Sequence, residues 1–60
     1  MEPRYFVMVG NCYVAFIGLW HTPKMFADYH KATPFLTLKD AKEEAIKRNV
    51  SDYRISKEFI

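Results

Sequence analysis

One cysteine, two glycines and a nearly cancelled charge define what this 60-residue chain has little of. With Cys12 alone, no disulfide can close within the chain, so stability must come from packing or assembly; the expected setting is a reducing compartment, the cytoplasm. Two glycines are too few for a phosphate-cradling loop. Nine basic and seven acidic residues give +2, too weak a field to recruit nucleic acid or an anionic membrane by charge. Length adds a limit of its own. A chain this short buries only about 60% of its unfolded surface, which allows one domain, residues 1–60, and one thin core.

Disorder is excluded by what is present, since half of the residues are apolar and 17% are aromatic. From Tyr5 to Trp20, thirteen of sixteen residues are apolar and none is charged. A bilayer-spanning helix needs about 20 such residues, and a signal peptide needs a basic start and a small-residue cleavage site. Here the flank Met1-Glu2-Pro3-Arg4 is charge-neutral, Gly10-Asn11 interrupts the run, and β-branched and aromatic residues fill it. That composition describes strands.

Tyr5–Val9 and Cys12–Ile17 read as a hairpin closed by the two-residue loop Gly10-Asn11 in a type II′ turn. This register sets Val9 against Cys12, Val7 against Val14 and Tyr5 against Phe16 on one side. Met8 with Tyr13, Phe6 with Ala15, and Arg4 with Ile17 occupy the other. Both sides are apolar, so something must cover each.

After Gly18, Thr22-Pro23 reads as a helix start, and residues 23–33 as a short helix or structured loop with Met25, Phe26, Tyr29 and Ala32 to one side. Pro34 makes Lys31–Leu36 extended, a candidate short strand. Thr37 is placed to cap a helix over Leu38–Arg48, with Leu38, Ala41, Ala45 and Ile46 as its buried stripe. Glu43–Lys47 and Glu44–Arg48 are expected as i,i+4 pairs on the wet side, and Asn49 as the left-handed stop. Tyr53–Phe59 alternates as a strand with Tyr53, Ile55 and Phe59 inward and Arg54, Ser56 and Glu58 solvated. The expected fold is α+β, ββ(α)βαβ, with the helix packed on one face of a small antiparallel or mixed sheet.

No catalytic constellation emerges: there is no nucleophile beside a base, no carboxylate pair and no nucleotide loop. Cys12, at the start of an apolar predicted strand, reads as structural. The possible metal ligands Cys12, His21, Asp28 and His30 match no zinc spacing, and neither metal nor cofactor is expected. An alternative reading, a single-strand nucleic-acid binder, would stack bases on Tyr5, Tyr13 and Phe16 with Arg4, Lys24, Lys31 and Arg54 on phosphates. A further alternative inserts residues 5–20 into a membrane.

The surplus of apolar surface carries the favoured expectation. One three-turn helix covers one sheet face; the other needs residues 20–32 or a partner, and a small domain often needs assembly. A non-enzymatic interaction module is therefore expected, binding a protein partner or forming a homo-oligomer through Phe6, Met8, Tyr13, Trp20, Met25 and Phe26. The stretch Lys31-Ala32-Thr33-Pro34-Phe35-Leu36-Thr37-Leu38-Lys39-Asp40-Ala41-Lys42-Glu43-Glu44-Ala45, followed by Asp52-Tyr53-Arg54-Ile55, resembles a pattern of small uncharacterised bacteriophage and bacterial proteins. That resemblance implies a phage-encoded accessory protein that modulates a host protein.

Overall fold

Gly10 takes φ +60° while Asn11 stays in the ordinary negative half, the sign pattern of a type II′ turn. The turn joins β1 (Pro3–Val9) to β2 (Cys12–Ala15) in the expected register, Val9 opposite Cys12 and Met8 opposite Tyr13. The structure, a computed structural model, describes residues 1–18 and 22–60. Among them it forms a four-stranded antiparallel sheet in the order β3-β2-β1-β4, with β3 at Lys24–Phe26 and β4 at Tyr53–Phe59. One helix, α1 (Leu38–Lys47), completes the α+β fold.

The expected pairing of Tyr5 with Phe16 is not made. Phe35 enters instead and exchanges both backbone hydrogen bonds with Tyr5, each 2.8 Å, while Phe16 N donates to Thr33 Oγ1. The extended Lys31–Leu36 segment thus contributes one bridge rather than a strand. Residues 24–26, expected as helix or loop, lie along β2 with Tyr13 opposite Phe26 and Val14 opposite Met25. A helix of about three turns after Pro23 would be marginal, whereas the open edge of β2 supplies partners for three successive residues.

Helix α1 begins and ends as its sequence dictates. Thr37 Oγ1 accepts from Asp40 N at 3.1 Å. At the other end Asn49, at φ 56°, donates to the Ile46 carbonyl and Val50 donates to that of Ala45. Those two bonds form a Schellman motif with asparagine in the place glycine usually takes.

The buried stripe of α1 differs from the hydropathy reading. Ala41 and Ala45 are fully buried against Val7 and Val14, with Tyr5, Val9, Phe16, Phe35, Val50, Tyr53 and Ile55 around them. Leu38 and Ile46, expected inside, are 44% and 65% exposed. At about 100° per residue this rotates the inner face by roughly 70° toward Glu44 and Arg48. The small methyls of Ala41 and Ala45 let the helix lie close to the sheet, which bulky Leu and Ile at that position would prevent.

Candidate interaction surfaces

The sheet face opposite α1 is covered from within the same subunit. Asp28 Oδ1 accepts from His30 N at 2.9 Å and from His30 Nδ1 at 2.6 Å, and so caps a 3-10 turn at Tyr29–Lys31. His30 stacks on Tyr29, with centroids 4.4 Å apart, and the backbone hydrogen bond from His30 is the first cause holding the Asp28 carboxyl below its usual range. The turn lays Tyr29 over the sheet, 5.6 Å from the Phe6 ring and 6.0 Å from that of Tyr13, while Phe6 and Tyr13 meet edge to face at 5.7 Å. Beneath it Phe6 is 1% exposed, and Met8, on the same sheet face, is 6% exposed.

β4 closes the margin of this aromatic cluster with polar groups. Tyr13 donates its hydroxyl to Glu58 Oε2 at 3.0 Å, and Ser56 donates to the same oxygen at 2.7 Å. The hydrogen bond to Glu58, with burial and the carboxylate charge behind it, raises the Tyr13 pKa. Ser56 and Glu58 were expected on a solvated face; they are half-buried because they complete the cluster.

The six expected contact residues therefore do not form one surface. Phe6 and Met8 are buried in the subunit and cannot meet a partner in this fold, a correction that for Phe6 follows from the cover Tyr29 provides. Tyr13 and Phe26 share that face and are half-buried. Met25, 53% exposed, sits opposite Val14 and so on the α1 side. Trp20 lies outside the described residues. The stacking trio separates likewise: Tyr5 and Phe16 pack into the α1-side core and Tyr13 lies on the reverse, so no open platform unites them.

Arg48 and Glu44 pair at 2.8 Å, but the pair is not on the wet side: their side chains are only 12% and 24% exposed. The rotation of α1 brings the Arg48 guanidinium over the Phe16 ring at 5.5 Å, where it serves as a lid. Among the described residues, Nη1 of Arg48 is buried without a hydrogen-bond partner. The arginine also walls a cleft of about 450 Å³ with Val9, Val14, Pro23, Met25 and Val50. Glu43–Lys47 does not close as an ion pair.

Two large apolar side chains stand among the charged residues that α1 turns outward. Leu38, Lys42 and Ile46 succeed one another at four-residue intervals and, with Lys39 and Glu43, line a shallow hollow of about 460 Å³. Leu36, 69% exposed, precedes them in the turn into the helix. Sequence reasoning assigned Leu38 and Ile46 to the core and so missed this surface. Its available signal was the Ala41–Ala45 pair, whose small side chains suit close helix–sheet contact. Among the described residues no three His, Cys, Asp or Glu side chains converge as metal ligands, and no helix is long and apolar enough to cross a membrane. No family model matches the chain, and no curated protein or solved structure is significantly similar to it.

Proposed function

We propose that this domain is a non-enzymatic protein-interaction module whose contact surface is the outer row of α1, and not the sheet face. The observation behind the reading is the exposure of Leu36, Leu38 and Ile46 on a fold that has already covered the centre of both sheet faces. The exposed part of a large aliphatic side chain adds nothing to folding, while removing it from water on binding is worth about 25 cal/mol per Å². Lys42 stands within the row, with Lys39 and Glu43 beside it, which suits a partner that presents an apolar groove with charged residues of both signs at its rim. The resemblance to small bacteriophage accessory proteins supports a host protein as that partner, and the single Cys12 supports the cytoplasm as the place of encounter.

The test is affinity capture from the native host with wild type and a Leu38→Ser/Ile46→Ser variant, which should keep the wild-type fold because neither side chain is in the core. A protein retained by wild type and lost from the variant is the expected result. Equal capture by both, or none by either, refutes the assignment of this surface.

A further inference from the structure

We propose that β4 is a self-association strand: two copies join β4 to β4 antiparallel about a two-fold axis at Ser56, producing one continuous eight-stranded sheet. This surface is separate from the α1 row, so either reading can fail without the other.

β4 is an edge strand of seven residues, against three for β3 at the opposite edge. Its pairing with β1 runs unbroken from Pro3–Phe59 to Val9–Tyr53, with no bulge and no proline in β4. Glu2 and Ile60 exchange both backbone hydrogen bonds, each 3.0 Å. Antiparallel ladders alternate, so the pairs Arg4–Glu58, Phe6–Ser56 and Met8–Arg54 also face each other through their backbones. Tyr53, Ile55, Lys57 and Phe59 must then turn their N–H and C=O groups outward. Tyr5 provides a check: paired across from Lys57, it directs both backbone groups the other way, to Phe35.

Among the described residues, eight backbone groups thus line a free edge, and their spacing restricts how a second copy can add. Only odd-numbered residues can pair through hydrogen bonds with odd-numbered ones. A two-fold at Ser56 sets Tyr53 opposite Phe59 of the second copy and Ile55 opposite Lys57, each twice, and uses every free group on both strands. A two-fold at Lys57 sets like charges together; one at Ile55 leaves Phe59 unpaired.

Side chains select the same register. Arg54 falls opposite Glu58 of the second copy, twice, in pairs without hydrogen bonds, where antiparallel side chains approach most closely. Glu58 is available on its Oε1, since Tyr13 and Ser56 both donate to Oε2. Arg54 is exposed and bonded through Nη2 to the Gly10 carbonyl alone, which leaves further donors. Tyr53 meets Phe59, itself 54% exposed, as an aromatic cross-strand pair. Edge strands are ordinarily guarded by charges that project off the edge. Lys57 does not guard this one, because its ammonium is drawn over the Tyr5 and Phe59 rings at 5.9 Å and 5.3 Å.

Sedimentation equilibrium of the full chain decides the matter. Wild type is expected at twice its 7.1 kDa mass. Arg54→Glu should weaken association by about ten-fold or more. Lys57→Pro places a ring on an outward N–H, leaves the β1 ladder intact, and should give a folded monomer with faster amide exchange at Ile55 and Phe59 than in wild type. A wild type that stays monomeric at hundreds of micromolar and low salt overturns the proposal, as does a dimer indifferent to Arg54→Glu and Lys57→Pro. The Leu38→Ser/Ile46→Ser variant should dimerise as wild type does.

Discussion

Tyr29→Ala removes the ring that covers the second sheet face, and its cost can be assembled from the contacts. The ring makes aromatic pairs with Phe6 and Tyr13, each worth about 0.5–1.5 kcal/mol beyond area burial. Its own half-buried surface adds a further contribution, and an aromatic-to-alanine change in a core costs about 3–5 kcal/mol. Because Tyr29 is half-buried, the lower end applies, about 3 kcal/mol. For a domain of this size each kcal/mol moves Tm by about 4–8 °C, so a fall of roughly 12–24 °C is expected. Thermal and urea unfolding followed by circular dichroism measure it. Loss of the cover should also expose Phe6 and Met8 to an apolar dye, while Tyr29→Phe keeps the ring and should stay within about 0.5 kcal/mol of wild type. If Tyr29→Ala neither lowers stability nor binds dye, the 3-10 turn does not seal this face, and the original expectation of an open sheet surface returns.

Two other outcomes follow from the polar contacts. Glu44→Ala strands the partly buried Arg48 guanidinium over Phe16 and should cost about 1–2 kcal/mol in urea unfolding, with Glu44→Gln recovering much of it. The raised Tyr13 pKa means that the folded state holds this proton more tightly than the unfolded chain, in which the value is 10.0. Its stabilisation is therefore complete below about pH 10 and is lost as pH rises through the folded value. Unfolding measured between pH 8 and 11 should show a steeper alkaline decline for wild type than for Tyr13→Phe, and parallel declines would refute the role of the Glu58 contact.

Local chemistry was the legible part of this sequence. Gly10-Asn11, the Thr37 cap and the Asn49 stop each depend on one or two residues whose conformational preferences suffice, and all three form as read. What failed required knowledge of neighbours. Hydropathy placed Leu38 and Ile46 inside because they are the largest apolar side chains on α1, but the depth at which a helix can pack favours Ala41 and Ala45. Met25 and Phe26 carry helix and strand preference about equally, and only the free edge of β2 decides between them. Phe35 displaces Phe16 as the neighbour of Tyr5, a long-range substitution that no local periodicity encodes. The expected contact surface rested on a choice the count left open, residues 20–32 or a partner as the second cover, and the ring of Tyr29, from a three-residue turn within that segment, is what covers Phe6.

The division between sealed and outward apolar groups is what the functional reading depends on, and a soluble paramagnetic agent reads it directly by NMR. The account predicts that the Met8 methyl and the Phe6 ring are shielded to nearly the same degree as Val7 and Val14, while the methyls of Leu36, Leu38 and Ile46 are strongly broadened. Broadening of Met8 and Phe6 equal to that of Leu38 would contradict it and return the contact surface to the sheet.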